Sequence, residues 1–391
     1  MGTGSVAGLR ALLTALLAVW APIALLAVLF VTVKQHSLAA DFVHEHRFAA
    51  RAVIDGRSPY PTDLQRALRT GFGFVYPPLT AFLALPVALL PSGISAWVAT
   101  LLTIAMIPTL LWALRVSDWR CYAVVFLWFP ALSAIETANL SLPLACGLAL
   151  CWRWRRRPVI GGALAGGLVA AKVLLWPVLI WAASVRRYRL AAWGLASAAV
   201  AIVVPWAVIS FRGAGAYPRL LRELSGYEGP RSRSVAALFM WLTGNWALAE
   251  ATGLLVGFIT LAIALRLGRA GRERPSFMIA ATAALFLTPV VWAHYLVLLA
   301  VVVGVAQRRF GVAWMLPLGL WLWPFLPTSS FGPHGEGVGG WQTVLALATV
   351  LATLGTALRA GDIRLRQEPS PATEGLPQRL GERVLRPDLI R

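Results

Sequence analysis

Apolar runs of about 20 residues, separated by short arginine-rich breaks, recur along the whole chain. Each is long enough to cross about 30 Å of hydrocarbon as a helix. A transmembrane barrel would instead show short segments of alternating polarity. The pattern therefore predicts an all-α polytopic membrane protein. The first run, 12–33, is too long for the apolar stretch of a signal peptide, and no small-residue cleavage site follows it, so a retained first helix is expected.

The arginines sign the direction of each crossing. Clusters at 153–157, 186–189, 266–274, 308–309 and 359–366 read as cytoplasmic under the positive-inside rule. The apolar stretches between them must then cross an even number of times or turn back. Stretches 159–183 and 277–307 are too long for one crossing and short for two. Each is expected to form a hairpin of short or tilted helices, with outer turns near Lys172 and near 289–294. By the same logic 121–151 turns at the outer face around Glu136-Thr-Ala-Asn139. Segment 76–91 is expected to lie at the membrane surface or re-enter it, with 95–114 as the second span. A re-entrant backbone is tolerated where protein or water covers its ends. Runs 190–209, 246–265, 314–325 and 342–358 bring the count to about twelve transmembrane helices, with both termini inside. The expected organisation is one integral membrane domain over 1–359, with outer loops at about 34–93 and 212–243 that include juxtamembrane helices. A polar cytoplasmic tail over 360–391 is expected to be disordered.

Composition supports this class and removes others. The 391 residues are 59% hydrophobic and only 13% charged, against about 25% charged in soluble domains. The net charge of +19 could suggest nucleic acid, but most arginines sit in short loops, where topology alone requires them. Lys34 and Lys172 are the only lysines among the 35 basic residues. Cys121, Cys146 and Cys151 lie in or beside apolar runs and show neither CxxC spacing nor a Cys/His cluster, so no disulfide framework or zinc site is expected.

Candidate chemistry concentrates at the expected outer face. The first outer loop contains Asp41-Phe-Val-His44-Glu45-His46-Arg47, with helical spacing suited to the interface. Asp41 is either a general base for a hydroxyl nucleophile or a solvated loop acid. His44 and His46 flank Glu45, but side chains two apart on a helix diverge, so surface histidines are expected rather than a metal site. Lys172 sits deep in apolar sequence. Intramembrane charges face a cavity or a partner, so it either reaches a phosphate or snorkels to the interface. His294, in Pro289-Val-Val-Trp292-Ala-His294, lies at the second expected hairpin turn and is either a satisfied core residue or a site residue. Arg47, Arg51, Arg57, Arg66 and Arg69, with Arg212, Arg219, Arg222, Arg231 and Arg233, break the positive-inside pattern. Anionic lipid headgroups or a phosphate-bearing substrate would hold them there, and one or two are expected to contact substrate with the rest at the surface.

These motifs together resemble glycosyltransferase family 87. The resemblance rests on Asp41; on Ala50-Arg-Ala-Val-Ile-Asp-Gly56-Arg-Ser-Pro59-Tyr60; on Tyr76-Pro77-Pro78-Leu79; on Asn139-Leu-Ser-Leu; on the glycine-rich run from Gly161 to Lys172; and on Pro289-Val-Val-Trp292-Ala-His294. It extends from about residue 40 to about 300. It implies a GT-C-type fold and transfer of a hexose from a polyprenyl-phosphate sugar to a glycolipid or glycan acceptor, at the outer face of a bacterial cell membrane. Mannose is the best-known sugar of the family. Asp41 corresponds to the family's catalytic carboxylate, Lys172 to the lysine of its short hairpin, and His294 to its late histidine. Arg231 and Arg233 would assist Lys172 at the donor phosphate. Tyr60, Tyr76, Glu136, Asn139, His44 and His294 would shape the substrate pocket, without a metal or other cofactor. The chain departs from the family pattern at Glu136-Thr-Ala-Asn139 and at Arg231-Ser-Arg233-Ser234, which bears on substrate identity. A lipid-linked-sugar transporter and a non-catalytic envelope-assembly partner are the rival readings. The intramembrane Lys172 suits the first, but no pairing of related halves supports it.

Overall fold

The computed structural model describes residues 3–61, 73–326 and 340–367. Among these, every regular element is helical. Five helices are long and apolar enough to cross a bilayer: Ala11–Lys34, Ser92–Ala113, Tyr188–Val208, Trp246–Arg269 and Gly340–Gly361. A sixth crossing results if Phe129–Thr137 and Ser141–Arg153, which meet at a 116° bend, form one broken span. Leu195, Val203 and Val208 on one long helix, and Leu255, Phe258 and Ile259 on another, are exposed. A row of large apolar side chains left open in this way is suited to lipid, not water. The chain is a multi-pass membrane protein.

The other apolar runs form helices of 10–17 residues. At 1.5 Å per residue these span about 15–25 Å, less than the hydrocarbon thickness of about 30 Å. The expected dozen thus divides into five or six full-length helices and a set of short ones. Leu79–Ala88, in the segment expected to re-enter, is one of the short ones. Leu316–Phe325 is wound as a tighter 3-10 helix. The last helix runs to Gln367, past the boundary expected at 359, while 368–391 lie outside the described residues.

Three hairpins of short helices form the centre. The first comprises Trp119–Phe126, Phe129–Thr137 and Ser141–Arg153. Its two ends meet at the arginine-rich end, where Ser117 N donates to Arg308 O at 3.2 Å and Arg153 Nη1 to Ala113 O at 3.4 Å. The second, Pro158–Ala171 followed by Val173–Leu175 and Pro177–Ser184, also returns there, since Arg187 Nη1 donates to Arg155 O at 3.4 Å. The third runs through Glu273–Leu287, Ala293–Leu298 and Leu299–Ala306. Glu273 ties the second and third together, accepting from Arg155 at 3.1 Å and Arg187 at 2.7 Å. Behind this ion triad Trp152, Trp181 and Phe277 stack, with centroids 4.7–5.9 Å apart. The three turns, around Ala138, Lys172 and 288–292, therefore lie at the opposite end.

Glycines let the second hairpin pack tightly on Tyr188–Val208. The run Gly161-Gly162-Ala-Leu-Ala165-Gly166 meets Gly194 and Ala198 with the small-xxx-small spacing that brings helix backbones together in lipid. A Cβ at Gly166 would stand 2.3 Å from Gly194 O and 2.6 Å from Ala198 N, and one at Gly162 would stand 2.8 Å from Leu190 O. These are backbone atoms, which cannot rotate away. Gly167, one position along, has nothing within 4 Å. Gly166→Ala should therefore cost about 1–3 kcal/mol as an overpacking change, lowering the midpoint of thermal unfolding in detergent. Gly167→Ala should leave that midpoint unchanged or slightly raised.

Candidate active site

At the end opposite the arginine clusters, the hairpin turns, the segment after the first long helix and the helix Tyr217–Glu228 surround a cavity of about 590 Å³. Asp41, Glu45, Tyr76, Thr137, Lys172, Glu228, His294 and Tyr295 are among the ionisable or hydroxyl-bearing residues that line it, with Tyr217, Ser225 and Thr288. Leu174, Trp176, Leu220, Leu221, Leu224, Leu287, Val290 and Trp292 supply an apolar wall.

Asp41 and Glu45 come from one helical segment. The chain turns out of the first long helix through the left-handed residues His36 (φ 55°) and Ala39 (φ 58°). Ala39 N donates to Glu136 O at 3.1 Å, which pins the segment to the first hairpin turn. From Phe42 to Arg47 the helix widens to a π-type winding. Such winding is frequent at functional sites. Residues four apart share a face of a helix, and Asp41 and Glu45 both meet the cavity. The buried side packs Ala39, Phe42 and Ala50 against Ala84, Ala88, Ala96 and Ala99. His46, expected at the surface with His44, is instead 4% exposed, its ring 4.8 Å from that of Tyr76. Only His44 is exposed. The side chains at 44 and 46 point apart, as their spacing requires, but the packed helix buries the second.

Lys172 lies at the break of the second hairpin in an extended conformation (φ −154°, ψ 113°). Its Nζ donates to the Tyr295 hydroxyl and stands 3.6 Å and 5.1 Å from the ring centroids of Tyr295 and Tyr76. This contact joins the turns of the second and third hairpins. His294 precedes it, with its ring 5.0 Å from that of Tyr295.

The first hairpin turn supports Asp41 through Thr137. Ala138 adopts a left-handed conformation (φ 48°) that ends the helix. Asn139, 2% exposed, then donates to Thr137 Oγ1 at 2.7 Å and accepts from Ser141 N at 2.8 Å. The Thr137 hydroxyl, which also donates to Ser133 O at 3.2 Å, lies beside the Asp41 carboxyl and lowers its pKa. Burial pushes the Asp41 carboxyl up to about 6, with the Thr137 hydrogen bond and the Lys172 charge pulling it down and the Glu136 charge adding to the rise. Burial, reinforced by the charge on Asp41, holds Glu45 well above the usual carboxylate range, against a downward pull from Lys172. Two carboxyls facing one ammonium compete for it, and burial disfavours ionising both.

The cavity thus gathers Asp41, Lys172, His294 and Tyr76 from the expected set. Asn139 acts one layer behind it, through Thr137. Glu136 faces Asp41 electrostatically without lining the cavity. Tyr60 is buried as a packing residue, stacked on Trp206 at 5.4 Å, with its hydroxyl donating to Tyr76 O at 3.0 Å. His44 does not line the cavity. Neither do Arg231 and Arg233. The Arg231 guanidinium lies over Tyr227 at 4.1 Å and that of Arg233 over Trp323 at 4.2 Å, with Arg233 Nη2 donating to Gln342 Oε1 at 2.6 Å. Other arginines of the expected outer loops hold backbone in place. Arg47 and Arg51 donate to Leu90 O and Ala88 O at 3.4 and 3.2 Å, and Arg212 donates to Gly56 O. Arg66 and Arg69 lie outside the described residues. Glu45, Tyr295 and Glu228 were not singled out from the sequence. The four-residue step from Asp41 to Glu45 was the available signal for the first.

A family model, glycosyltransferase family 87, matches residues 74–292, more than half of the chain. The match includes Tyr76, Thr137, Asn139 and Lys172, begins after Asp41 and Glu45, and ends two residues before His294. No curated protein and no solved structure matches the chain. With its multi-pass helical architecture, the chain belongs to glycosyltransferase family 87 and is a membrane glycosyltransferase.

Proposed function

We propose that the protein transfers a hexose, in the first instance mannose, from a polyprenyl-phosphate sugar to a glycolipid or glycan acceptor at the outer face of a bacterial cell membrane. The GT-C-type reaction inverts the anomeric centre. The observation that carries this reading is the single cavity lined by both Asp41 and Lys172, with an apolar wall beside them. A lipid-linked donor needs that combination: a cation for its phosphate, a base for the incoming hydroxyl and apolar surface for its chain. Several of the short helices counted toward the expected dozen border this cavity.

In the reaction Asp41, ionised, takes the proton of an acceptor hydroxyl lined up behind the anomeric carbon. The acceptor oxygen bonds to that carbon as its bond to the phosphate oxygen breaks, and a β-linked donor gives an α-linked product. Lys172 turns from the Tyr295 hydroxyl to the phosphate and offsets the charge that builds on it as polyprenyl phosphate departs. Fixed cations aimed at developing charge in a water-poor site lower the barrier by several kcal/mol. Glu45, protonated, donates a hydrogen bond to a sugar hydroxyl or phosphate oxygen. Trp176, Leu220, Leu224 and Trp292 offer the polyprenyl chain its contact surface.

Transfer from a radiolabelled polyprenyl-phosphate hexose by the purified protein is the test, and absence of turnover with any such donor overturns the reading. Asp41→Asn should lower turnover about 10²- to 10⁴-fold while donor binding stays within a few-fold. Lys172→Gln should weaken donor binding and turnover together. A group that must be ionised, with its carboxyl held at about 6, gives a rate that rises with pH through that value. The wild-type rate should therefore fall about tenfold per pH unit below about 6, and this acid limb should vanish in the residual activity of Asp41→Asn.

A further inference from the structure

A second cavity, of about 310 Å³, lies at the arginine-rich end. Arg115, Arg153, Arg155, Arg156, Arg274 and Arg308 line it. It sits on the same helices as the candidate active site: Glu273–Leu287 carries Arg274 at this cavity and Leu287 at the other. The rise of that helix sets the two about 20 Å apart.

The positive-inside rule accounts for arginines in loops. It does not account for guanidiniums from four helix ends facing one concavity. Some of these charges have internal partners. Arg155 is paired with Glu273, a carboxylate that Arg187 also holds. Arg153 donates to the carbonyls of Trp112 and Ala113 at 3.2 and 3.4 Å. Among the described residues, Arg115, Arg156 and Arg274 have no such partner. Glu273, the carboxylate beside the cavity, is already shared by Arg155 and Arg187, so it is not left over to neutralise Arg115, Arg156 or Arg274. Planar guanidiniums converging from several directions suit the oxygens of a phosphate, which can accept two donors from each. Basic cavities between helices at the cytoplasmic end are also where anionic headgroups are held. The floor of this one, formed by Leu114, Gly304 and Val305, suits the apolar start of a lipid.

We propose that this cavity is a phosphate-binding site, independent of the transfer reaction, which takes the headgroup of an anionic phospholipid through Arg115, Arg156 and Arg274. The test is native mass spectrometry with thermal unfolding of the full chain, delipidated in detergent and titrated with phosphatidylglycerol, phosphatidylcholine or inorganic phosphate. Phosphatidylglycerol should bind at least tenfold more tightly than phosphatidylcholine. The Arg156→Gln/Arg274→Gln double variant, and Arg115→Gln by itself, should lose most of that preference. Arg266→Gln/Arg269→Gln, which changes two arginines at the same end outside the cavity, should keep it. Protection by inorganic phosphate with the same arginine dependence supports the anion site and assigns it to a soluble phosphate. Equal binding of the two lipids without protection by phosphate, or equal loss in the cavity and control variants, overturns the proposal.

Discussion

A lysine ammonium in apolar surroundings must be met by other groups, and the centre of this protein is organised around meeting Lys172. The effective cost of removing such an ion from water is still several kcal/mol after relaxation. Here Tyr295 accepts from it, the rings of Tyr295 and Tyr76 face it, and the carboxyls of Asp41 and Glu45 share its cavity. Lys172 belongs to the second hairpin, and the groups that meet it come from the third hairpin, the segment before Leu79–Ala88, and the π-wound helix after the first long helix. Satisfying one charge therefore fixes the relative position of elements distant in sequence.

The short helices follow from the same requirement. A full-length helix would carry its turn to the far interface, where water could hydrate the ammonium. Helices of 10–17 residues stop earlier and bring their polar turns to a shared cavity. At the other end the Arg155–Glu273–Arg187 contacts and the Trp152–Trp181–Phe277 cluster hold the hairpin bases together. Five long helices with exposed apolar faces accompany this short-helix core. A rigid base beneath a cavity of mixed polarity suits a transferase, which must orient two substrates before a bond forms.

The arginines of the expected outer loops show why residue type alone misassigns function. Arg231 and Arg233 break the positive-inside pattern and could have served a phosphate, yet their guanidiniums lie on Tyr227 and Trp323. Arg47 and Arg51 reach carbonyls at the end of Leu79–Ala88, where a helix presents partial negative charge and unbonded acceptors. Fixing backbone ends and filling a substrate pocket call for the same residue, and only the direction of the side chain separates them. Tyr60 is a similar case: its hydroxyl and ring serve the packing of Trp206 and Tyr76.

Hydrophobic run length and arginine placement determined the membrane class, the short hairpins with turns near Lys172 and 289–294, and the place of Asp41 and Lys172 at one end of the molecule. These features depend on solvation, which acts residue by residue and is legible in a linear string. The tertiary structure decided which polar groups share a cavity. It added Glu45, Glu228 and Tyr295, moved Asn139 one layer back behind Thr137, buried His46, and turned Arg231, Arg233 and His44 away. Those outcomes depend on the π-type winding at 42–47, the left-handed residues at 39 and 138, and the meeting of hairpins more than a hundred residues apart. Each is a long-range or backbone-geometric effect, and no local pattern of apolar and polar residues encodes it.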